Sequence, residues 1–277
     1  MQIAVAAVFL SILIALLIPA VQSKLQKLLV VNRLLVFAVP LLLSAIFCAF
    51  TGLGLAPLIL AYTLIPTFCV FAGIADLVVI LLLWIPVEFN VGQSLIPKSI
   101  QAPAHTAAYG VGLTLALTLF LLFRRRDGLK YNLPRTSRDW IYPLIGFAFC
   151  AATIIPVGRM IGFLPPFHLP DPWYRPIREF PLILAGTALP EEILFRSLIQ
   201  NLLMQKFGAN TRTLLLAALI FGAAHLDNGP QPLPNWRYMI VATIAGAAYG
   251  KVFEKSTSVF ASAGLHTLVD MTKHSCF

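Results

Sequence analysis

The sequence predicts an all-α fold, a polytopic transmembrane helical bundle of about eight to ten spans. Three observations predict it. Hydrophobic residues fill 59% of the 277 positions and charged residues only 11%, with a mean hydropathy of +0.86. A soluble domain carries roughly 25% charged residues. The apolar residues are also gathered into runs long enough to cross hydrocarbon, for which a helix needs roughly 20 residues. Finally, basic residues concentrate in the short segments between runs, the bias that orients membrane proteins.

The runs lie near 2–20, 34–50, 55–72, 73–87, 107–123, 140–158, 180–204, 212–226, 237–253 and 256–272. Met1 to Ala20 lacks the basic start of a signal peptide and reads as a first span. The stretch 55–87 is divided near Gly73 by loop charge. Lys24, Lys27 and Arg33 mark one loop as cytoplasmic; Arg124, Arg125, Arg126, Lys130, Arg135 and Arg138 mark another. An even number of spans must separate the two, and the division supplies it. The same alternation puts Lys206, Arg212, Lys251 and Lys255 inside. It leaves the loop 159–179 and both termini outside, against the charge of Arg159, Arg175 and Arg178. Trp84, Trp140, Trp173 and Trp236 sit near run ends, where amphipathic rings favour the interface. The expected location is a bacterial inner (cytoplasmic) membrane, with both termini non-cytoplasmic.

The net charge of +9 belongs to this loop bias and to contact with the lipid bilayer, so no nucleic acid partner is expected. Cys48, Cys69, Cys150 and Cys276 show no ligand spacing and read as small hydrophobes. Chemistry divides the chain in two. Residues 1–139 are the N-terminal transmembrane helices; up to residue 180 the apolar runs hold almost no ionisable group but Asp76, placed at a helix start where a carboxylate suits the dipole, and after it they hold many. Residues 140–277 hold the rest.

Within 180–204 stands Pro190-Glu191-Glu192-Ile193-Leu194-Phe195-Arg196. Three charges in mid-membrane cost roughly 8–10 kcal/mol if unpaired. Glu192 and Arg196 are spaced i,i+4 and can pair. Glu191, turned about 100° away, is left for another partner. Phe221-Gly222-Ala223-Ala224-His225 closes the run 212–226, and His266 and Asp270 share a face of the last run. Gly246 and Gly250 form a small-residue stripe that lets helices approach. Close packing would bring Glu191, His225, His266 and Asp270 to one cavity. A Glu–Arg pair is sometimes only interhelical glue, and a lone histidine near a helix end is more often interfacial. Their occurrence together on consecutive helices points to function. His105, His168 and His274 read as solvated, and Asp227-Asn228-Gly229-Pro230 as a turn. A carboxylate beside an imidazole can deprotonate water. A second histidine and a polar group opposite can stabilise an oxyanion. A divalent ion held by Glu and His is the competing arrangement.

These motifs resemble the CPBP family of CAAX prenyl proteases and bacteriocin-processing enzymes. Its paired glutamates with a following arginine match Glu191, Glu192 and Arg196; its Phe-x-x-x-His matches Phe221 and His225; its third motif matches His266 and Asp270. The resemblance covers roughly 180–272 and makes 140–277 the catalytic core. It implies that Glu191 activates water with His225, that Glu192 and Arg196 form a structural and electrostatic pair, and that His266 and Asp270 hold the oxyanion. The eukaryotic prenyl proteases have Asn at the position of Asp270. The carboxyl there donates only if protonated; otherwise it orients His266 or helps to hold a cation. Family members are described as metalloproteases, and a divalent metal such as zinc would fall to Glu191, His225 and His266.

The expected function is an intramembrane endopeptidase acting on a membrane protein or peptide. Leader removal, membrane-protein processing or cleavage of a C-terminal anchor signal suits it better than a prenylated CAAX protein. The rival readings are a proton- or ion-coupled transporter and a catalytically inactive membrane scaffold. Confinement of the charges to one end counts against the transporter.

Overall fold

A computed structural model describes residues 2–229 and 232–277. Met1, at the head of the first expected span, and Pro230, the last residue of the expected turn, lie outside the described residues. No strand occurs among the described residues, and helices stand at every expected apolar run. Four are long and apolar enough to cross a membrane: Arg33–Thr51, Leu53–Phe71, Lys98–Phe123 and Arg138–Met160. The pair Ile3–Ala15 and Pro19–Val31, bent by 84°, would make a fifth. The other runs form shorter or more polar helices. Asp76–Glu88 and Thr211–Ala223 have 13 residues each, about 20 Å of helix against roughly 30 Å of hydrocarbon. The chain is an integral membrane protein.

The chain forms two compact units, Met1–Asp127 and Gly128–Phe277. In the first, α1 (Gln2–Ala15) is followed by α2 (Pro19–Val31), so the basic segment expected as a loop is helical. Pro19 takes the first helical position, where its missing N–H costs nothing. Next come α3 (Ala38–Thr51), α4 (Ala56–Phe71), α5 (Asp76–Glu88) and α6 (Gln101–Leu117). The core runs along α6 through Ala104, Ala107, Val111 and Leu115, spaced on one face and fully buried or nearly so. Gly73 turns the chain between α4 and α5 with a positive φ of 80°, at the division expected from loop charge. Asp76 opens α5 as expected and is ion-paired with both Arg124 and Arg126.

The second unit holds α7 (Arg138–Met160), α8 (Arg175–Ile183), α9 (Leu189–Glu192), α10 (Asn201–Phe207), α11 (Thr211–Ala223), α12 (Trp236–Lys255) and α13 (Val259–Cys276). Wide π-helical turns, Leu184–Ala188 and Ile193–Gln200, join α8, α9 and α10 into one helical path. Such turns concentrate at functional sites. Residues 128–139 are tied to the α12–α13 connection. Lys130 Nζ donates to the carbonyls of Phe253 (2.5 Å) and Ser256 (2.8 Å) at the end of α12. The Asp139 carboxylate accepts from the backbone amides of Thr257 (2.6 Å), Thr136 (2.9 Å) and Arg135 (2.9 Å). Ser258 donates to the Asn132 carbonyl. Lys130 and Arg138, read from sequence as orientation signals, thus belong to a segment packed within the C-terminal unit.

Candidate active site

The site is assembled by close packing of α11 on α12. A methyl added at Gly222 would come 2.7 Å from the Met239 carbonyl oxygen, and one at Gly246 would meet Phe221 at 3.0 Å and Ala218 at 3.4 Å. The small residues of the stripe thus permit the approach expected of them.

Phe221 and His225 lie at the C-terminal end of α11, His225 in the turn just past it. His225 Nδ1 is 2.8 Å from the Phe221 carbonyl oxygen, the i,i+4 contact of the Phe-x-x-x-His motif. A carbonyl can only accept, so Nδ1 carries the proton and Nε2 presents a lone pair. The Phe221 ring, 2% exposed, packs edge-on to Phe195 at 5.0 Å and to His266 at 5.8 Å.

Glu192 and Arg196 are fully buried and paired at 3.1 Å, as the spacing predicts. The other Glu192 oxygen faces His266 Nδ1, also at 3.1 Å, and His266 Nε2 lies 3.4 Å from Asp270 Oδ2. The two pairs expected separately are one chain, Arg196–Glu192–His266–Asp270. The remaining guanidinium nitrogens of Arg196 have no hydrogen-bond partner among the described residues. Its Cζ instead lies 4.6 Å from the centre of the Phe221 ring and 5.7 Å from that of Tyr249. Ring faces attract cations and offset part of the lost hydration.

Glu191 projects to the other side of α9, with its side chain 27% exposed. Its Oε2 is 4.0 Å from His225 Nε2 and 3.9 Å from His266 Nε2. All four expected residues therefore meet. They line one cavity of about 740 Å³, part of it continuous with the surroundings. Among the described residues no group of three His, Cys, Asp or Glu is arranged to hold an ion. His266 Nδ1 faces Glu192 and its Nε2 faces Asp270.

Sequence reasoning missed Tyr249, stacked on His266 at 4.6 Å, Tyr238, edge-on to His225 at 4.6 Å, and Lys273, which lines the cavity. The signal was present as helical spacing. Tyr238, Val241, Ala242, Ala245 and Tyr249 form one stripe of α12, and His266, Asp270 and Lys273 one stripe of α13. Asn235 was also missed. It caps α12 by accepting from Tyr238 N at 3.0 Å and donates to the Asn228 carbonyl at 2.8 Å, fixing the turn after His225. His168 and His274 are exposed, as expected.

Residues 173–272 match the family model described as type II CAAX prenyl endopeptidase Rce1-like, the kind of enzyme that the motifs of this region resemble. No curated protein and no solved structure matches the chain.

Proposed function

We propose that the protein is an endopeptidase in which Glu191 and His225 activate a water against a peptide bond of a membrane-associated protein or peptide. The observation that carries this reading is the 4.0 Å separation of Glu191 Oε2 and His225 Nε2. It is too long for a direct hydrogen bond. Two acceptors at that distance suit the two O–H groups of one water, each at about 2.8 Å. Glu191 takes one proton as the water oxygen bonds to the carbonyl carbon. His266, held by Glu192 and Asp270, donates to the oxygen that becomes negative. The C–N bond then breaks, and the leaving amine takes the proton from Glu191. The Phe221 carbonyl keeps the His225 lone pair turned to the water, and Glu192 with Arg196 serves as the structural pair behind His266. The catalysis is glutamate-type, with no metal needed to lower the pKa of water. The substrate is processed in or beside a bacterial inner membrane, and both termini face away from the cytoplasm.

The test is a comparison of membrane proteomes from cells carrying the wild type, Glu191→Gln or His225→Ala. Each variant should let unprocessed substrate accumulate, with cleavage slowed roughly 10²–10⁴-fold. Normal processing in both variants would sink the proposal. Proton-driven uptake into liposomes that depended on Glu191 would make the protein a transporter instead.

A further inference from the structure

A cavity of about 710 Å³, partly open to the surroundings, lies wholly within the first unit and has no part in the proposed chemistry. The end of α3, the start of α4, the end of α5 with the segment after it, and the first turns of α6 enclose it. Phe47, Leu58, Ile59 and Ile96 make its walls apolar. Tyr62 lines it as well, and its hydroxyl donates to the Leu83 carbonyl at 2.7 Å, which ties α4 to α5. Gly92, at a φ of 84°, lets the segment after α5 approach α4 so closely that an added methyl would overlap the Leu58 side chain.

Four neutral polar side chains share this lining: Asn90, Gln93, Gln101 and His105. The turn that carries the first two satisfies its own backbone. Val91 N donates to the Pro86 carbonyl at 2.8 Å, and Gln93 N to that of Asn90 at 3.0 Å. The side-chain amides of Asn90, Gln93 and Gln101 bond to no other described residue. No Asp, Glu, Lys or Arg is among the described residues of the lining. Of the charged residues on the same stretch, Glu88 accepts from Trp84 Nε1 at 2.8 Å and Lys98 is exposed.

An apolar pocket of roughly 300–1,000 Å³ with a few convergent polar groups is the usual form of a small-molecule site. Amides offer donors and acceptors but no charge. A charged head drawn in here would lose hydration without meeting a counter-ion. A wholly apolar chain would leave the amides unmatched. Phe89, Val91 and Leu95, exposed on the same segment, suit contact with lipid, so an amphiphile is the ligand that arrives there. We propose that this cavity binds a single-chain lipid with a neutral, hydroxylated head, its chain among α4, α5 and α6 and its hydroxyls on Asn90, Gln93 and Gln101. Neither Glu191 nor His225 takes part, so the site stands whatever the C-terminal unit catalyses.

The experiment uses the full chain in lipid nanodiscs and monooleoylglycerol carrying a photoreactive diazirine in its chain. Mass spectrometry should find the label on peptides that contain the lining residues of α4, α5 or α6. Three unlabelled competitors share the oleoyl chain: monooleoylglycerol, its phosphate monoester, and methyl oleate, which has no hydroxyl. The first should displace the probe at a concentration at least about tenfold lower than either of the others. Ala108→Phe, which fills the cavity, should remove the label from these peptides. Gln93→Ala/Gln101→Ala should erase the advantage of monooleoylglycerol over methyl oleate. Equal displacement by all three on the wild type would mean partition into lipid only, and would overturn the proposal without any variant having to fold. Tighter binding of the phosphate would overturn it too, as would a label that lay elsewhere or survived Ala108→Phe.

Discussion

Removing one member of the Glu192–Arg196 pair should destabilise the C-terminal unit far more than removing both. Both side chains are at 0% exposure, so neither charge can turn to water when its partner is lost. Glu192→Gln keeps the volume but leaves the guanidinium without its carboxylate and offers His266 Nδ1 a neutral amide. Breaking a buried pair in this way costs about 3–5 kcal/mol, a shift in the unfolding equilibrium of roughly two to three and a half orders of magnitude. Arg196→Met should cost a similar amount by stranding Glu192. In the double variant Glu192→Leu/Arg196→Met, no charge is stranded, and apolar side chains of like volume replace the pair. The residual cost is the acceptor lost by His266 Nδ1, about 1–3 kcal/mol. Unfolding by detergent titration, followed by near-UV circular dichroism on these three proteins and on Glu192→Leu alone, measures the cycle. All three should fail to process substrate, since each disturbs the support of His266. If the single variants unfolded within about 1 kcal/mol of the wild type, or the double variant lost the sum of the two, the buried chain from Arg196 to Asp270 would be refuted.

Three further perturbations test the packing and the chemistry. Gly222→Ala puts a methyl against the Met239 carbonyl and the Thr243 side chain; it should cost about 1–3 kcal/mol by thermal unfolding and lower processing as His225 is displaced. Asp270→Asn keeps a polar group beside His266 Nε2 and should retain activity within roughly tenfold, whereas Asp270→Ala should lose about a hundredfold in a rate assay. Treatment with EDTA and 1,10-phenanthroline should leave processing unchanged in purified protein; a loss restored by added zinc would move water activation from Glu191 and His225 to a metal.

The parts of this site legible in the sequence are those fixed by one helix. Glu192 with Arg196, and His266 with Asp270, are i,i+4 pairs, and both contacts are present in the structure. The contact of Phe221 with His225 has the same origin, although it runs through the backbone carbonyl, which no side-chain pattern reveals. The bond from His266 to Glu192 joins residues 74 apart in sequence and depends on the packing of α13 against α9, so no local period encodes it. Tyr249 hid for a different reason. Its place among Ala245, Gly246 and Ala248 reads as helix packing, and only the structure brings its ring onto His266 at 4.6 Å. In the fold, apolar runs located the helices well but not the segments between them. Pro19 begins a second helix where charge alone suggested a loop. Lys130 closes the end of α12 because its carbonyls lack helical partners.

Phe221 explains why the site tolerates so much charge in an apolar setting. Its carbonyl fixes the His225 proton, while its ring lies beneath Arg196 and edge-on to His266. One residue thereby touches the proposed water-activating wall and the buried chain behind His266. The adjacent glutamates divide along the same line. Successive helical residues point about 100° apart, so Glu192 enters the chain of charges while Glu191 reaches the cavity. Interchanging their roles would require turning α9, and the π-helical turns on both sides are where such a rotation would have to be absorbed. Fixing Glu192 at two partners is therefore also what fixes the direction of Glu191. On this reasoning the pair of glutamates is a single device: the buried one sets the angle at which the other meets His225.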